Sequence, residues 1–237
     1  MTTLAAALRS SVGKKYLMGL SGLVWFGFAV GHLIGNYLLF AGRKAFNEYA
    51  SFLEEFGHGK ALYVVEAALL LVLITHVWNG IQVAYFDKGN ARPQGYAKSG
   101  DAGGASRKTL ASQTMIYTGL LLLVFFVIHL WSFKFGNKID PAHVDKGSDL
   151  YYLVVQRFAD PVYTGVYVIC MLALGFHLSH GLWSSLQSLG VLNRRTYPVA
   201  ATAAVVVAAL LAIGFIALPL TVCAMNTKFA EGNGGLL

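Results

Sequence analysis

Charged residues are scarce in this sequence, and their scarcity excludes an ordinary soluble protein. Only 12% of the 237 residues are charged, whereas 56% are hydrophobic. Soluble domains carry about 25% charged residues. Most of the surface therefore faces a medium other than water, and a lipid bilayer is the simplest such medium. The net charge of +7 would suit nucleic acid, but the basic residues stand in short stretches between apolar segments, as in membrane-flanking loops.

Cysteine is nearly absent too. The two cysteines, Cys170 and Cys223, lie inside apolar runs, which argues against a disulfide or a cysteine metal site. The sequence has no C-x-x-C-H motif for covalent haem attachment, no cysteine set for an iron–sulfur cluster and no G-x-G-x-x-G dinucleotide fingerprint. This chain alone is therefore not expected to bind FAD or to oxidise a substrate through it.

Five long apolar segments are present, and each is long enough to cross a membrane. About 20 residues span the hydrocarbon as a helix, and helices satisfy their own backbone groups there. The sequence predicts one all-α membrane domain over 1–237, with a cytoplasmic loop at 87–111, an outer loop at 136–160 and a polar tail from Thr227. The predicted spans are 16–40, 61–86, 112–135, 161–189 and 197–226.

The basic residues predict the orientation. Cytoplasmic flanks of membrane helices are enriched in Lys and Arg. With the N-terminus in the cytoplasm and the C-terminus outside, the cytoplasmic side collects Arg9, Lys14, Lys15, Lys88, Arg92, Lys98, Arg107, Lys108, Arg194 and Arg195.

Histidines are the most informative residues, because ionisable groups inside a membrane span are costly and are usually functional. Four consecutive predicted helices each carry one well inside the apolar stretch, and the fourth has a second close by. A single buried histidine is more often a packed, hydrogen-bonded residue than a ligand, but four in four helices favour a function. The residues are His32, His76, His129, His177 and His180.

The depths of these histidines predict two pairs. At 1.5 Å per residue, His32 and His129 each lie about 22 Å along helices that start inside, and His76 and His177 about 21–23 Å along helices that start outside. In an up-down-up-down four-helix bundle, helices one and three face each other across the core, as do two and four. Each pair would hold one b-type haem by two axial imidazoles, a low-spin arrangement suited to electron transfer.

The fourth helix offers two ligands. The segments HVWNGI and HLSHGL align as H-x-x-[NH]-G-[IL], which places His177 opposite His76 and favours it over His180. His180 is then expected beside the haem or quinone. Gly80 and Gly181, each four residues after a ligand, make room for a flat porphyrin on the same helix face, and Gly31 and Gly35 flank His32 similarly. Taken alone, such glycines are better explained by packing between helices.

The motifs GHLIGNY, THVWNGIQ, VIHLW and FHLSHGLWSSLQSLG, in this order, resemble the five-helix, two-haem cytochrome b subunit of succinate dehydrogenases and fumarate reductases. The resemblance covers the chain from about Lys14 to the fifth span. It implies a subunit in a bacterial-type cytoplasmic membrane, with a flavoprotein and an iron–sulfur subunit docked on its cytoplasmic face. It also implies one haem held by His76 and His177 near that face, another held by His32 and His129 on the far side, and a membrane quinone, with menaquinone favoured over ubiquinone.

Quinone reduction consumes protons, so a proton-bearing group is expected near a haem. Glu66, one turn inside the second span, is the first candidate, and a carboxylate reaching the interface is an equal alternative. Asn47 and Glu48 in the first outer loop are weaker candidates.

Two other functions remain open at this stage. The chain could be the di-haem anchor of another quinone-linked dehydrogenase, such as a hydrogenase or formate dehydrogenase. A transporter that relays protons through membrane histidines is a further alternative.

Overall fold

The computed structural model describes residues 3–87, 108–138 and 148–231, with side chains described as far as residue 226. These residues form α-helices joined by short turns, and no β-strand occurs among them. The helices are α1 (Leu4–Arg9), α2 (Ser11–Asn36), α3 (Arg43–Glu55), α4 (Ala61–Ile81), α5 (Leu110–His129), α6 (Leu150–Phe158), α7 (Pro161–Ser188) and α8 (Tyr197–Glu231).

Five helical segments are long and apolar enough to cross a membrane, which confirms the predicted all-α membrane fold. Their apolar side chains face outward, as lipid-facing residues do. The long helices form because a chain in hydrocarbon must bond every backbone group within itself. The segments are Ser11–Ala41, Ala61–Asp87, Leu110–Lys134, Pro161–Ser188 and Tyr197–Asn226.

Helix ends differ from the sequence prediction at both termini. The first span begins at Ser11 rather than residue 16, after the short helix α1, whose Thr3 hydroxyl accepts a hydrogen bond from the amide of Ala6. The tail from Thr227 was expected to lack structure, but α8 continues to Glu231. The run from Thr227 to Glu231 contains no glycine or proline, so nothing in it ends the helix.

Two predicted loops lie partly outside the described residues. The cytoplasmic loop at 87–111 is described only at its two ends, so Lys88, Arg92, Lys98 and Arg107 fall outside. The outer loop at 136–160 is described except for 139–147. The bundle arrangement, the membrane orientation and the single domain over 1–237 stay predictions.

Helices α3 and α6 lie between membrane spans, where the sequence analysis placed loops. Both are amphipathic rather than uniformly apolar. On α3, Phe46 is only 4% exposed, and Tyr49, one turn later on the same face, packs against Gly35. On α6, Leu153 is 1% exposed. These buried faces explain why two short segments between the spans fold as helices.

By contact density the chain divides into two compact units. One takes in the described parts of Met1–Ala29, Val65–Leu120 and Gly175–Ala209, and contains His76 and His177. The other takes in the described parts of Val30–Val64, Leu121–Leu174 and Leu210–Leu237, and contains His32 and His129. The core of this second unit is built from Leu39, Phe46, Val154, Phe158, Tyr167, Leu218 and Val222.

A polar network in the second unit joins α3 to α6. The guanidinium of Arg43 donates to Oδ2 of Asp149 through Nε and Nη2. Asn47 Nδ2 donates to Asp149 Oδ1 at 2.8 Å, and Asn47 Oδ1 accepts from the amide of Tyr151 at 3.0 Å. Asp149 also caps α6, because its Oδ1 accepts from the amide of Tyr152 at 2.8 Å. Asn47, a weak quinone candidate, therefore has a structural role here.

Candidate functional site

His76 and His177 face each other within the first unit. Their ring centroids lie 6.2 Å apart, with His76 on α4 and His177 on α7. Both residues are half-buried. These are the two histidines that depth along the helices paired on the basis of sequence.

His32 and His129 form the corresponding pair within the second unit, with ring centroids 5.8 Å apart. Aromatic rings surround them. Phe215 of α8 lies 6.2 Å from the His32 ring, and Phe125 lies 5.6 Å from the His129 ring. The fifth span, which carries no histidine, thus supplies a wall of this site.

The spacing within each pair suits one metal held between two imidazoles. An imidazole nitrogen lies about 2 Å from a bound transition metal, so two imidazoles on opposite sides of it have ring centres about 6 Å apart. Among the residues that the structure describes, no three His, Cys, Asp or Glu side chains converge on one point. Within that part of the chain the imidazoles therefore meet in twos.

The Nδ1 atoms of three of these imidazoles face oxygen atoms. His76 Nδ1 lies 3.0 Å from the carbonyl oxygen of Met18, and His177 Nδ1 lies 3.1 Å from Oγ1 of Thr118. His129 Nδ1 lies 3.2 Å from the hydroxyl of Tyr167. A metal-binding histidine usually donates its other ring N–H to such an oxygen, which fixes the ring and its tautomer. In this arrangement Nε2 is the atom left for a metal.

The sequence analysis missed these hydrogen-bond partners. Met18 and Thr118 belong to two copies of one pattern on the first and third spans, M-x-x-[ST]-G with nine residues between its glycine and the next histidine. This repeat is visible in the sequence and could have directed attention to them. Tyr167 gave no such signal, because a tyrosine in an apolar helix has no distinctive pattern.

The two histidines of the fourth span have different neighbours. The ring of His177 faces His76, whereas the ring of His180 packs edge-on against Trp183 with centroids 4.8 Å apart. This geometry supports the predicted choice of His177.

Glycines near the histidines fall into two groups. A Cβ at Gly181 or Gly31 would meet nothing within 4 Å, and one at Gly80 would make only an ordinary contact with Met18 at 3.8 Å. Open space therefore lies beside Gly181 and Gly31. Gly35 differs, because a Cβ there would lie 2.8 Å from the ring of Tyr49, so its role is helix packing.

The remaining predicted candidates lie on α4, on α3 and near the predicted cytoplasmic end. Glu66 is half-buried on α4. Glu48 lies on the exposed side of α3, 3.8 Å from Lys44. Near the predicted cytoplasmic end, Lys14 forms an ion pair with Asp87 at 2.7 Å, while Arg194 and Arg195 are exposed.

Two comparisons with known proteins give matches. Residues 16–106 match the profile of the family described as succinate dehydrogenase/fumarate reductase transmembrane subunit. The succinate dehydrogenase cytochrome b558 subunit of Bacillus subtilis (strain 168) is 26% identical over 165 residues, which cover 69% of this chain and 72% of that protein. No solved structure gives a significant match. On its motifs, its five spans and these two matches, the chain is similar to the succinate dehydrogenase/fumarate reductase transmembrane subunits.

Proposed function

We propose that this chain binds two b-type haems and anchors a succinate:quinone oxidoreductase or quinol:fumarate reductase in the membrane. One haem would be held by His76 and His177, and the other by His32 and His129. The proposal rests on one observation above all, which is that two separate imidazole pairs each have the spacing of axial ligands on a single iron.

The residues around each pair fit such a group. Open space beside Gly181 and Gly31 leaves room for a flat ring. The Nδ1 atoms of His76, His177 and His129 each have an oxygen partner, which leaves Nε2 of each ring available to bind iron. When bound, the haems supply one-electron transfer through low-spin iron. The protein's part is to orient the imidazoles and to exclude water from the apolar sites.

The protein partners proposed here follow from the motifs that the chain lacks and from the family that it resembles. Without motifs for FAD or iron–sulfur clusters, it requires a flavoprotein and an iron–sulfur subunit to deliver or accept electrons at its cytoplasmic face. A membrane quinone, menaquinone rather than ubiquinone, is the other reactant. We expect no catalytic activity from the chain alone.

Haem content tests the proposal directly. The complex purified from native membranes should show a reduced b-type α-band and two haems per chain by pyridine haemochrome, and mass spectrometry should find the two partner subunits. A colourless preparation from haem-sufficient cells would leave the histidine-relay transporter. Two haems with hydrogenase or formate dehydrogenase subunits would assign the chain to another quinone-linked dehydrogenase.

Glu66 is proposed as the group that exchanges protons with the quinone, because it is a half-buried carboxylate within an apolar span. Glu66→Gln keeps the shape and removes the proton-carrying group, so quinone-linked turnover should fall about tenfold or more. Both haems should remain, and electron transfer from succinate to a soluble dye should be unchanged. Glu48→Gln, an exposed carboxylate on α3, is the matched control. If quinone-linked turnover in Glu66→Gln were as high as in Glu48→Gln, Glu66 would have no part in the mechanism.

A further inference from the structure

The first and third spans carry the same pattern at the same distance from their histidines. It reads Met18-x-x-Ser21-Gly22 before His32, and Met115-x-x-Thr118-Gly119 before His129, with nine residues between glycine and histidine in both. The copy before His32 contacts His76, and the copy before His129 contacts His177. We refer to the two five-residue segments, 18–22 and 115–119, as the cradles.

The first cradle receives His76. The ring Nδ1 lies 3.0 Å from the Met18 carbonyl oxygen and 3.4 Å from Ser21 Oγ. A Cβ at Gly22 would lie 3.0 Å from Cε1 of the ring, which is tighter than nine in ten real contacts. Any larger residue there would push the imidazole back by a few tenths of an ångström.

The second cradle receives His177. The ring Nδ1 lies 3.1 Å from Thr118 Oγ1. A Cβ at Gly119 would make an ordinary contact with Cε1 of the ring at 3.4 Å. Two copies of one pattern thus hold the two imidazoles of one pair, the first mainly through the Met18 carbonyl and the second through the Thr118 hydroxyl.

The acceptors decide which ring nitrogen carries the proton. The Met18 carbonyl only accepts hydrogen bonds, and Thr118 Oγ1 already donates its proton to the carbonyls of its own helix, at Thr114 and Met115. The Nδ1 that faces each of them is therefore the protonated nitrogen. Nε2 then keeps its lone pair, which is the form that binds a metal. His129 is held by the Tyr167 hydroxyl, which both donates and accepts, so that contact alone does not select a tautomer.

We infer that the two cradles position His76 and His177 as Nε2 ligands and lower the reduction potential of the haem between them. The inference rests on the proposed function, because it assumes that this pair binds a haem. A hydrogen bond accepted from Nδ1–H makes the imidazole more basic, and a more basic ligand favours ferric iron. Removing an acceptor from a cradle therefore raises the potential of that haem alone.

Thr118→Val tests the hydroxyl, since valine has nearly the same shape but accepts no hydrogen bond. The reduction equilibrium constant of one haem should change by up to about tenfold, or about 59 mV for one electron, toward the ferrous form. Thr118→Ser should restore the wild-type value. The control is Thr114→Val, one turn earlier on α5, whose hydroxyl bonds its own helix at the carbonyl of Leu110. Unchanged midpoints in Thr118→Val, or an equal shift in Thr114→Val, would overturn the inference.

Gly22→Ala tests the close approach. The new methyl group must displace the His76 ring, so retention of that haem should weaken about tenfold or more. The control is Gly19→Ala on the same helix, where a Cβ would make ordinary contacts with Ser185 from 3.4 Å. Full haem content in Gly22→Ala would contradict the cradle. A wild-type chain without two haems would instead overturn the proposed function, so the two failures are distinguishable.

Discussion

Replacing His177 with alanine is expected to remove one of the two haems and to abolish electron transfer from succinate to quinone. His76 and His177, whose ring centroids lie 6.2 Å apart, would hold this haem together. Alanine removes one of the two ligands, and His76 alone cannot complete a low-spin site. His32 and His129, which would hold the second haem, belong to the other compact unit, so that haem should stay. Pyridine haemochrome should then report one haem per chain, and the partner subunits should still oxidise succinate with a soluble dye as acceptor.

His180→Ala is the matched control, because it removes a histidine three residues later on the same helix. Its ring packs against Trp183, so both haems should remain. The opposite result, with both haems kept in His177→Ala and one lost in His180→Ala, would reverse the choice of ligand. His76→Ala should reproduce the loss seen in His177→Ala, since each ligand of a pair is needed.

The histidine pairs could be predicted from sequence because they depend on little more than helix length. Counting 1.5 Å per residue from each end of a span gives the depth of a side chain, and histidines at equal depth were paired. The structure brings His76 to His177 and His32 to His129. Five spans follow from apolar length for the same reason, since hydrocarbon leaves the backbone few alternatives.

The partners of the imidazoles could not be predicted in this way. Whether Thr118 or Tyr167 reaches a ring depends on how each helix is rotated about its axis and on how closely two backbones approach. The depth of a residue along its helix gives neither the rotation nor the distance between helices. Helices α3 and α6 were not predicted as helices for different reasons. On α3, buried residues such as Phe46 alternate with polar ones, so the average hydropathy of the segment resembles that of a loop. Helix α6 is apolar but has only nine residues, too few to be recognised as a span.

Asp149→Ala is expected to loosen α6 strongly. The carboxylate is 6% exposed, caps the helix at the Tyr152 amide and accepts from both Arg43 and Asn47. Losing the cap and leaving these donors without their acceptor should cost about 3 kcal/mol. Amide hydrogen exchange in 150–158 should then accelerate by about 100-fold, if opening of α6 limits it. Mass spectrometry of the peptides from this segment gives the measurement.

Asp160→Ala is the control for capping alone. Asp160 is exposed and caps α7 at the Val162 amide, 2.8 Å from Oδ1. This substitution should cost about 1 kcal/mol at the start of α7 and leave exchange in α6 unchanged. If Asp149→Ala accelerated exchange in α6 no more than Asp160→Ala does at the start of α7, the contacts with Arg43 and Asn47 would contribute nothing.

The charge of Asp149 also makes the stability of α6 depend on pH. Burial raises the pKa of this carboxyl, but hydrogen bonds from the Tyr152 amide and the Asn47 side chain, and the Arg43 guanidinium, together hold it below its usual value. A lowered pKa in the folded state means that the stabilisation is complete above about pH 4, the ordinary Asp value, and is lost as pH falls through the folded-state pKa. Amide hydrogen exchange in 150–158, corrected for the pH dependence of the intrinsic exchange rate, should therefore accelerate in acid. Asp149→Asn, which has no carboxyl to titrate, should lack this added acceleration, and identical acid profiles for the two proteins would contradict the assignment.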